Sequence, residues 1–159
     1  MDYIIKKVLP TDLQLAKQLI TLWQTEDGYL NPLIPNDSYL HDLLSKDSFH
    51  FFVAMKDELV IGGLTAYELL MYKEEETEMF LYEIGVEENY RQKGIAIKLI
   101  ESLKKTCVDK GIKIIFVGTS KDNQPAKQLY KTTGGEMEEI PWFTYNLDNE
   151  TTAGSTGST

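Results

Sequence analysis

Cysteine is nearly absent: Cys107 stands alone among 159 residues. No internal disulfide can form, and the usage fits a reducing cytoplasm, the compartment expected for this chain. Histidine is almost as scarce, at two. These side chains are too scattered to form a ligand cluster, so no metal site is expected. No apolar run is long enough to span a bilayer, and the opening MDYIIKK lacks the charged-then-apolar order of a secretory leader. Neither membrane insertion nor export is therefore expected. Positive charge is also in deficit, with 16 Lys and Arg against 25 Asp and Glu, a formal net charge of −9. Nucleic acid requires a basic surface and is not expected as a partner. Cationic small molecules are compatible with such a chain.

What is present reads as one domain with a sizeable core, residues 1–148, followed by a tail over 149–159 that lacks apolar residues and is expected to be disordered. A first strand is predicted at Tyr3 to Leu9. After Pro10, Thr11 or Asp12 can cap a helix with Leu13, Ala16, Ile20 and Trp23 on one face. A loop at 27–37 and a short helix at 38–44 follow. Then come strands at Phe49 to Met55, Leu59 to Leu70 and Met79 to Val86, joined by short polar turns, which implies an antiparallel meander. Gly62 and Gly63 within the second of these suggest a bulge or a close backbone contact. The acidic run Glu74, Glu75, Glu76 and Glu78 reads as a solvated hairpin tip.

The second half changes style. Ala96, Leu99, Ile100, Leu103 and Cys107 share one helical face, with Gly111 as the stop, so Cys107 reads as core. The apolar run at 112–118 is expected to be a strand covered on both sides. A helix from about Gln124 to Thr133 carries Pro125 in its first turn. Ile140 to Leu147 is expected to be a last strand, with Trp142 and Phe143 in the core. The order predicts an α+β fold, a mixed, largely antiparallel sheet flanked by helices, in which a crossover helix permits one parallel pair.

Between the strand ending at Val86 and the following helix stands YRQKGIA, Tyr90 to Ala96. A helix N-terminus presents unpaired N–H groups and partial positive charge. Gly94 permits close backbone approach, and Arg91 and Lys93 add formal charge. Together these suit a pyrophosphate. Downstream, NQPAKQLYKTTGG places Asn123, Ala126, Tyr130 and Gly134 along one helical face and its boundary.

An R-x-x-G-x-A loop, a helix, an apolar strand and then N-x-x-A-x-x-x-Y-x-x-x-G resemble the GNAT superfamily of acyl-CoA N-acetyltransferases, across Tyr3 to Leu147. The stretches IGGLTAYEL (Ile61 to Leu69), LYEIGVEENYRQKGIAIKLIESL (Leu81 to Leu103) and KDNQPAKQLYKTTG (Lys121 to Gly134) are similar to the aminoglycoside 3-N-acetyltransferase branch that includes the gentamicin and fortimicin resistance enzymes. Glu83 stands where that branch usually has aspartate, Gly85 where it usually has alanine, and Asn123 where aspartate is common.

The resemblance implies acetyl-CoA as cosubstrate. Arg91, Gln92, Lys93, Gly94, Ile95 and Ala96 would wrap its pyrophosphate. The backbone of Ile84, Gly85 and Val86 would pair with the pantetheine arm between splayed strands, with a bulge expected at Gly85. Asn123 and Ala126 would lie beside the cofactor, and the Tyr130 hydroxyl near the thioester sulfur as proton donor. The backbone N–H of Val86 would meet the oxyanion. Glu83, a lone carboxylate in an apolar strand, would take the proton from the acceptor amine, directly or through water. Desolvation would raise its pKa and a bound cation would lower it. Tyr67, Glu68 and Glu83 would recognise a cationic acceptor, although Glu68 is as easily read as structural. Cys107 is poorly placed for an acetyl-enzyme, so direct attack in a ternary complex is implied. A polyamine, another small amine or a protein amine is the alternative acceptor. A non-catalytic CoA-binding module is a third reading, which an intact Glu83 and Tyr130 oppose. Relatives of this fold are often dimers, which makes a homodimer possible here.

Overall fold

Short polar turns return the third strand beside the second and the fourth beside the third, while helices carry the chain from the first strand to the second and from the fourth to the fifth. The computed structural model describes residues 1–148, so the predicted tail lies outside the described residues. The elements are β1 (Ile4–Lys7), α1 (Leu13–Glu26), α2 (Asp37–Leu44), β2 (Phe49–Lys56), β3 (Leu59–Leu70), β4 (Thr77–Val86), α3 (Ile95–Lys110), β5 (Ile115–Phe116) and α4 (Gln124–Thr132). The sheet order is β1-β2-β3-β4-β5. The first three pairings are antiparallel and β4–β5 is parallel, across the α3 crossover. This is the expected mixed α+β architecture.

The sheet carries a core on each face. On one, Leu99, Leu103 and Cys107 of α3 pack on Ala54, Leu64, Ala66, Met79 and Leu81. On the other, Ala16 and Leu19 of α1 and Leu44 of α2 pack on Phe49, Phe51 and Val53. Strand alternation sorts β2 and β3 between these two layers. Gly63 is a close contact: a Cβ there would run into the Leu19 side chain and the Phe52 carbonyl. The adjoining irregularity falls at Ile61, since Ala54 faces Gly62 while Met55 faces Val60.

Two expectations are corrected at the far edge. The strand predicted over 112–118 shrinks to Ile115–Phe116, and Ile114 and Phe116 remain exposed rather than covered on both sides. The last strand at Ile140 to Leu147 does not form. Trp142 and Phe143 are 77% and 82% exposed, not core. The physical reason is shared. A strand is held by its ladder, and pairing to β4 is confined to Met79–Ile115 and Phe80–Phe116. So short a β5 offers little edge for a further strand.

Candidate active site

The shortness of β5 opens the site. β4 continues from Leu81 to Val86 beyond its last β5 partner, still paired to β3 on its other side. Among the described residues that length of edge has no strand partner on the β5 side and can pair with an extended ligand, although the Gly85 and Val86 carbonyls already accept from Trp23 Nε1 and Arg91 Nε. It ends at a 3-10 turn, Glu88–Tyr90, and a loop leading into α3.

The loop backbone is shaped for an anion. Gln92 has φ 59° and Gly94 has φ 79°, both left-handed. Nothing lies within 4 Å of where a Gly94 Cβ would be. Among the described residues no side chain caps the N-terminus of α3, so its first N–H groups are not turned inward onto one. Lys93 and Lys56 bring their ammonium groups to 5.7 and 5.9 Å from the centre of the Tyr90 ring. An acidic protein thereby concentrates cations at this mouth. Arg91 is already engaged: Nε donates to the Val86 carbonyl at 2.8 Å and Nη2 to Glu26 Oε2 at 3.2 Å.

A bulge shapes β4, but not at Gly85. Thr65 faces Glu83 while Ala66 faces Leu81, leaving Tyr82 as the extra residue. Gly85 pairs regularly with Gly63. Its lack of a side chain serves Trp23 instead, because a Cβ at Gly85 would lie 2.7 Å from the indole Nε1, which donates to the Gly85 carbonyl at 3.4 Å. The Tyr82 bulge turns Tyr82 and Glu83 toward the same face, the one α1 covers. The rings of Tyr82 and Tyr67 meet edge-on at 5.6 Å, and Phe80 extends the row at 5.7 Å from Tyr82. Glu83 reaches solvent, yet protein crowding raises its pKa above the usual carboxylate range, with the nearby Asp27 adding to the shift. Burial, and then Tyr82 and Tyr39, raise the Tyr67 phenol.

Glu68 stands apart from this group. Its carboxylate takes a hydrogen bond from His50 Nε2 at 2.8 Å and is paired with Lys110 of α3, on the opposite face of the sheet. Burial pushes its pKa up, but Lys110 and His50 outweigh that and hold it low. His50 is 2% exposed, and burial lowers its pKa despite Glu68. A neutral His50 closes this polar cluster against the core.

On α4, Asn123 Oδ1 accepts the Ala126 N–H at 3.1 Å, so the asparagine is the helix cap. Tyr130 packs against the α3-side core, where burial raises its phenol. Cys107 is buried and its thiol is pushed up by that burial, which suits packing rather than nucleophilic work. Among the described residues no group of His, Cys, Asp and Glu gathers as metal ligands, and no helix is long and apolar enough to cross a membrane.

Residues 16–134 match the acetyltransferase (GNAT) family. The chain belongs to that family. The GNAT fold accounts for the five-stranded mixed sheet and the helices α1 to α4 seen among the described residues. An aminoglycoside acetyltransferase, meta-AAC0020, from an uncultured soil metagenomic sample, is 31% identical with a TM-score of 0.86, over 91% of this chain and 96% of that one. The same protein has been solved in complex with sisomicin. AAC(6')-Iy, solved with a bisubstrate analogue, is 25% identical with a TM-score of 0.73, over 92% and 99% of the two chains. An uncharacterised N-acetyltransferase of Bacillus subtilis (strain 168), YycN, is 32% identical over 63 residues, 40% of each chain. The chain thus spans about two fifths of the length of that curated relative. GNAT acetyltransferases use acetyl-CoA, and the β4 edge beyond β5, with the left-handed loop that follows it, fits that cosubstrate.

The Trp23–Gly85 contact carries a prediction. Gly85→Ala forces the indole aside and costs about 1–3 kcal/mol, as overpacking does. The melting temperature falls by several degrees in a thermal scan. Shrinking the indole in Trp23→Phe/Gly85→Ala restores part of the loss.

Proposed function

We propose that this GNAT acetyltransferase transfers an acetyl group from acetyl-CoA to an amine of an aminoglycoside, by direct attack in a ternary complex. The branch motifs point to the 3-amine. One observation carries the reading: the bulge at Tyr82 gathers Glu83, Tyr82 and Tyr67 on one face beside Asp27. A polycation with sugar rings needs both parts of that face. Carboxylates meet its ammonium groups, and tyrosine rings accept C–H faces and cations. The likeness to meta-AAC0020, which binds sisomicin, supports the same acceptor class.

The donor supplies an activated thioester. The β4 backbone at Ile84, Gly85 and Val86 holds its arm, and the loop from Gln92 to Ala96 receives its pyrophosphate. Glu83 accepts the acceptor's proton, directly or through one water, and the amine attacks the acetyl carbon. Tyr130 donates a hydrogen bond to the departing sulfur. Ionised Glu83 is required, so the cationic acceptor assists by drawing its raised pKa back down as it binds.

The test is thiol release from acetyl-CoA with a panel of amines, and mass and NMR analysis of the product. Acetylation of gentamicin-type compounds is the expected result, with the new amide on the 3-amine. Turnover only with spermidine or peptides would transfer the reading to another acceptor. CoA binding without turnover on any amine would remove it.

A further inference from the structure

Helix α1 ends on two carboxylates, Glu26 and Asp27, with no basic residue in its last turn. Carboxylates at a helix C-terminus face the negative end of the macrodipole, which opposes them. Their position needs another explanation, and for Glu26 the contacts supply it. Oε1 accepts the backbone N–H of Glu88 at 3.0 Å, and Oε2 accepts Arg91 Nη2 at 3.2 Å. Arg91 then reaches back through Nε to the Val86 carbonyl at 2.8 Å. One carboxylate thus joins the end of α1, the turn after β4 and the end of β4 itself. Immediately beyond lies Gln92, a side-chain-bearing residue with φ 59°. Such a conformation persists only where its surroundings hold it.

Resting on the proposed use of this loop for CoA, we infer that Glu26 is a positioning residue for the pyrophosphate loop, acting through Arg91 and the Glu88 N–H. Arg91 is then a clamp that preorganises the backbone cradle, and the phosphate is met by the N–H groups beyond it. The same end of α1 touches the Gly85 carbonyl through Trp23, and Asp27 adds to the burial that raises the pKa of Glu83. One helix end therefore sets the donor loop and the acceptor-side base relative to each other.

The contrary possibility predicts the opposite sign. If Arg91 binds phosphate directly and is only parked on Glu26, removing the charge of Glu26 frees the arginine and tightens CoA binding. If Arg91 is a clamp, Glu26→Gln loosens the cradle and weakens it. Calorimetric titration of CoA into wild type, Glu26→Gln, Glu26→Asp, Arg91→Lys and the Glu26→Gln/Arg91→Lys pair decides between them. Loss of preorganisation is expected to weaken CoA about tenfold in Glu26→Gln and Arg91→Lys. The pair is expected to be no weaker than either alone, since both break one unit. Glu26→Asp recovers part of the affinity. KM for acetyl-CoA rises while KM for the acceptor holds, a split that general loosening of the fold does not produce. Unchanged or tighter binding in Glu26→Gln, or additive losses in the pair, would overturn the inference while leaving the CoA reading intact. A wild-type protein that binds no CoA would overturn that reading and the inference with it. Cooperative melting of Glu26→Asp and Arg91→Lys keeps the comparison valid should Glu26→Gln not fold.

Discussion

Glu83→Gln lowers kcat for aminoglycoside acetylation by about 10²–10³-fold and leaves CoA affinity unchanged. The amide has nearly the volume of the carboxylate but cannot accept a proton. The acceptor's ammonium then has no base beside the thioester. The pH profile gives the finer test. Burial first, and Asp27 second, raise the Glu83 pKa. In the wild type, kcat/KM must therefore fall on the acid side at a pH above the ordinary carboxylate range. Asp27→Asn moves that fall to lower pH, and Glu83→Gln abolishes it. Stability moves the other way. A carboxyl whose pKa is raised on folding binds its proton more tightly in the folded state. Its favourable contribution is present below the unfolded pKa and is lost as pH rises through the folded one. At neutral pH the ionised Glu83 opposes folding, and Glu83→Gln is expected to melt slightly higher than wild type, an advantage that fades in acid. Full turnover in this variant would remove Glu83 as the base, and an unmoved acid limb in Asp27→Asn would remove the Asp27 contribution to its pKa.

Glu83 was legible as a candidate because a carboxylate in an apolar strand stands out in any reading of alternation. Its company was not. Period-two alternation places Tyr82 and Glu83 on opposite faces, and Tyr67 beside Glu68 gives no hint of which one joins Glu83. A single extra residue in β4 reverses that arithmetic, and no glycine or proline marks it. Gly85, where the sequence leads one to expect a bulge, answers instead to Trp23, a contact across 62 positions of chain that no local pattern reports. Helix α3 was readable because its apolar spacing and its glycine stop agree. The segment from Ile140 to Leu147 has strand composition, but composition states a preference for a pleated, half-buried surface and does not supply the partner edge. Glu26 illustrates the same limit from the other side: its placement at a helix C-terminus is a local conflict visible in the sequence, and such conflicts tend to fall at functional sites.

Tyr130→Phe separates packing from chemistry at the other end of the reaction. The ring is packed against the core that α3 builds, and phenylalanine keeps that ring, so folding and CoA affinity are expected to hold. Only the hydroxyl is lost. Burial raises the phenol above its usual pKa, so it remains protonated at neutral pH and available as a donor. A thiol's ordinary pKa is about 8.5, below that of the phenol, so complete proton transfer to the departing sulfur is uphill. The phenol therefore works as a hydrogen-bond donor that strengthens as charge grows on sulfur, and removing one such donor costs about 10²-fold in kcat. The alkaline limb of the wild-type kcat profile, where the phenol ionises, should vanish in the variant. Stopped-flow thiol release across the alkaline range measures both effects. Turnover equal to wild type would leave Tyr130 a packing residue and require the sulfur to depart unassisted.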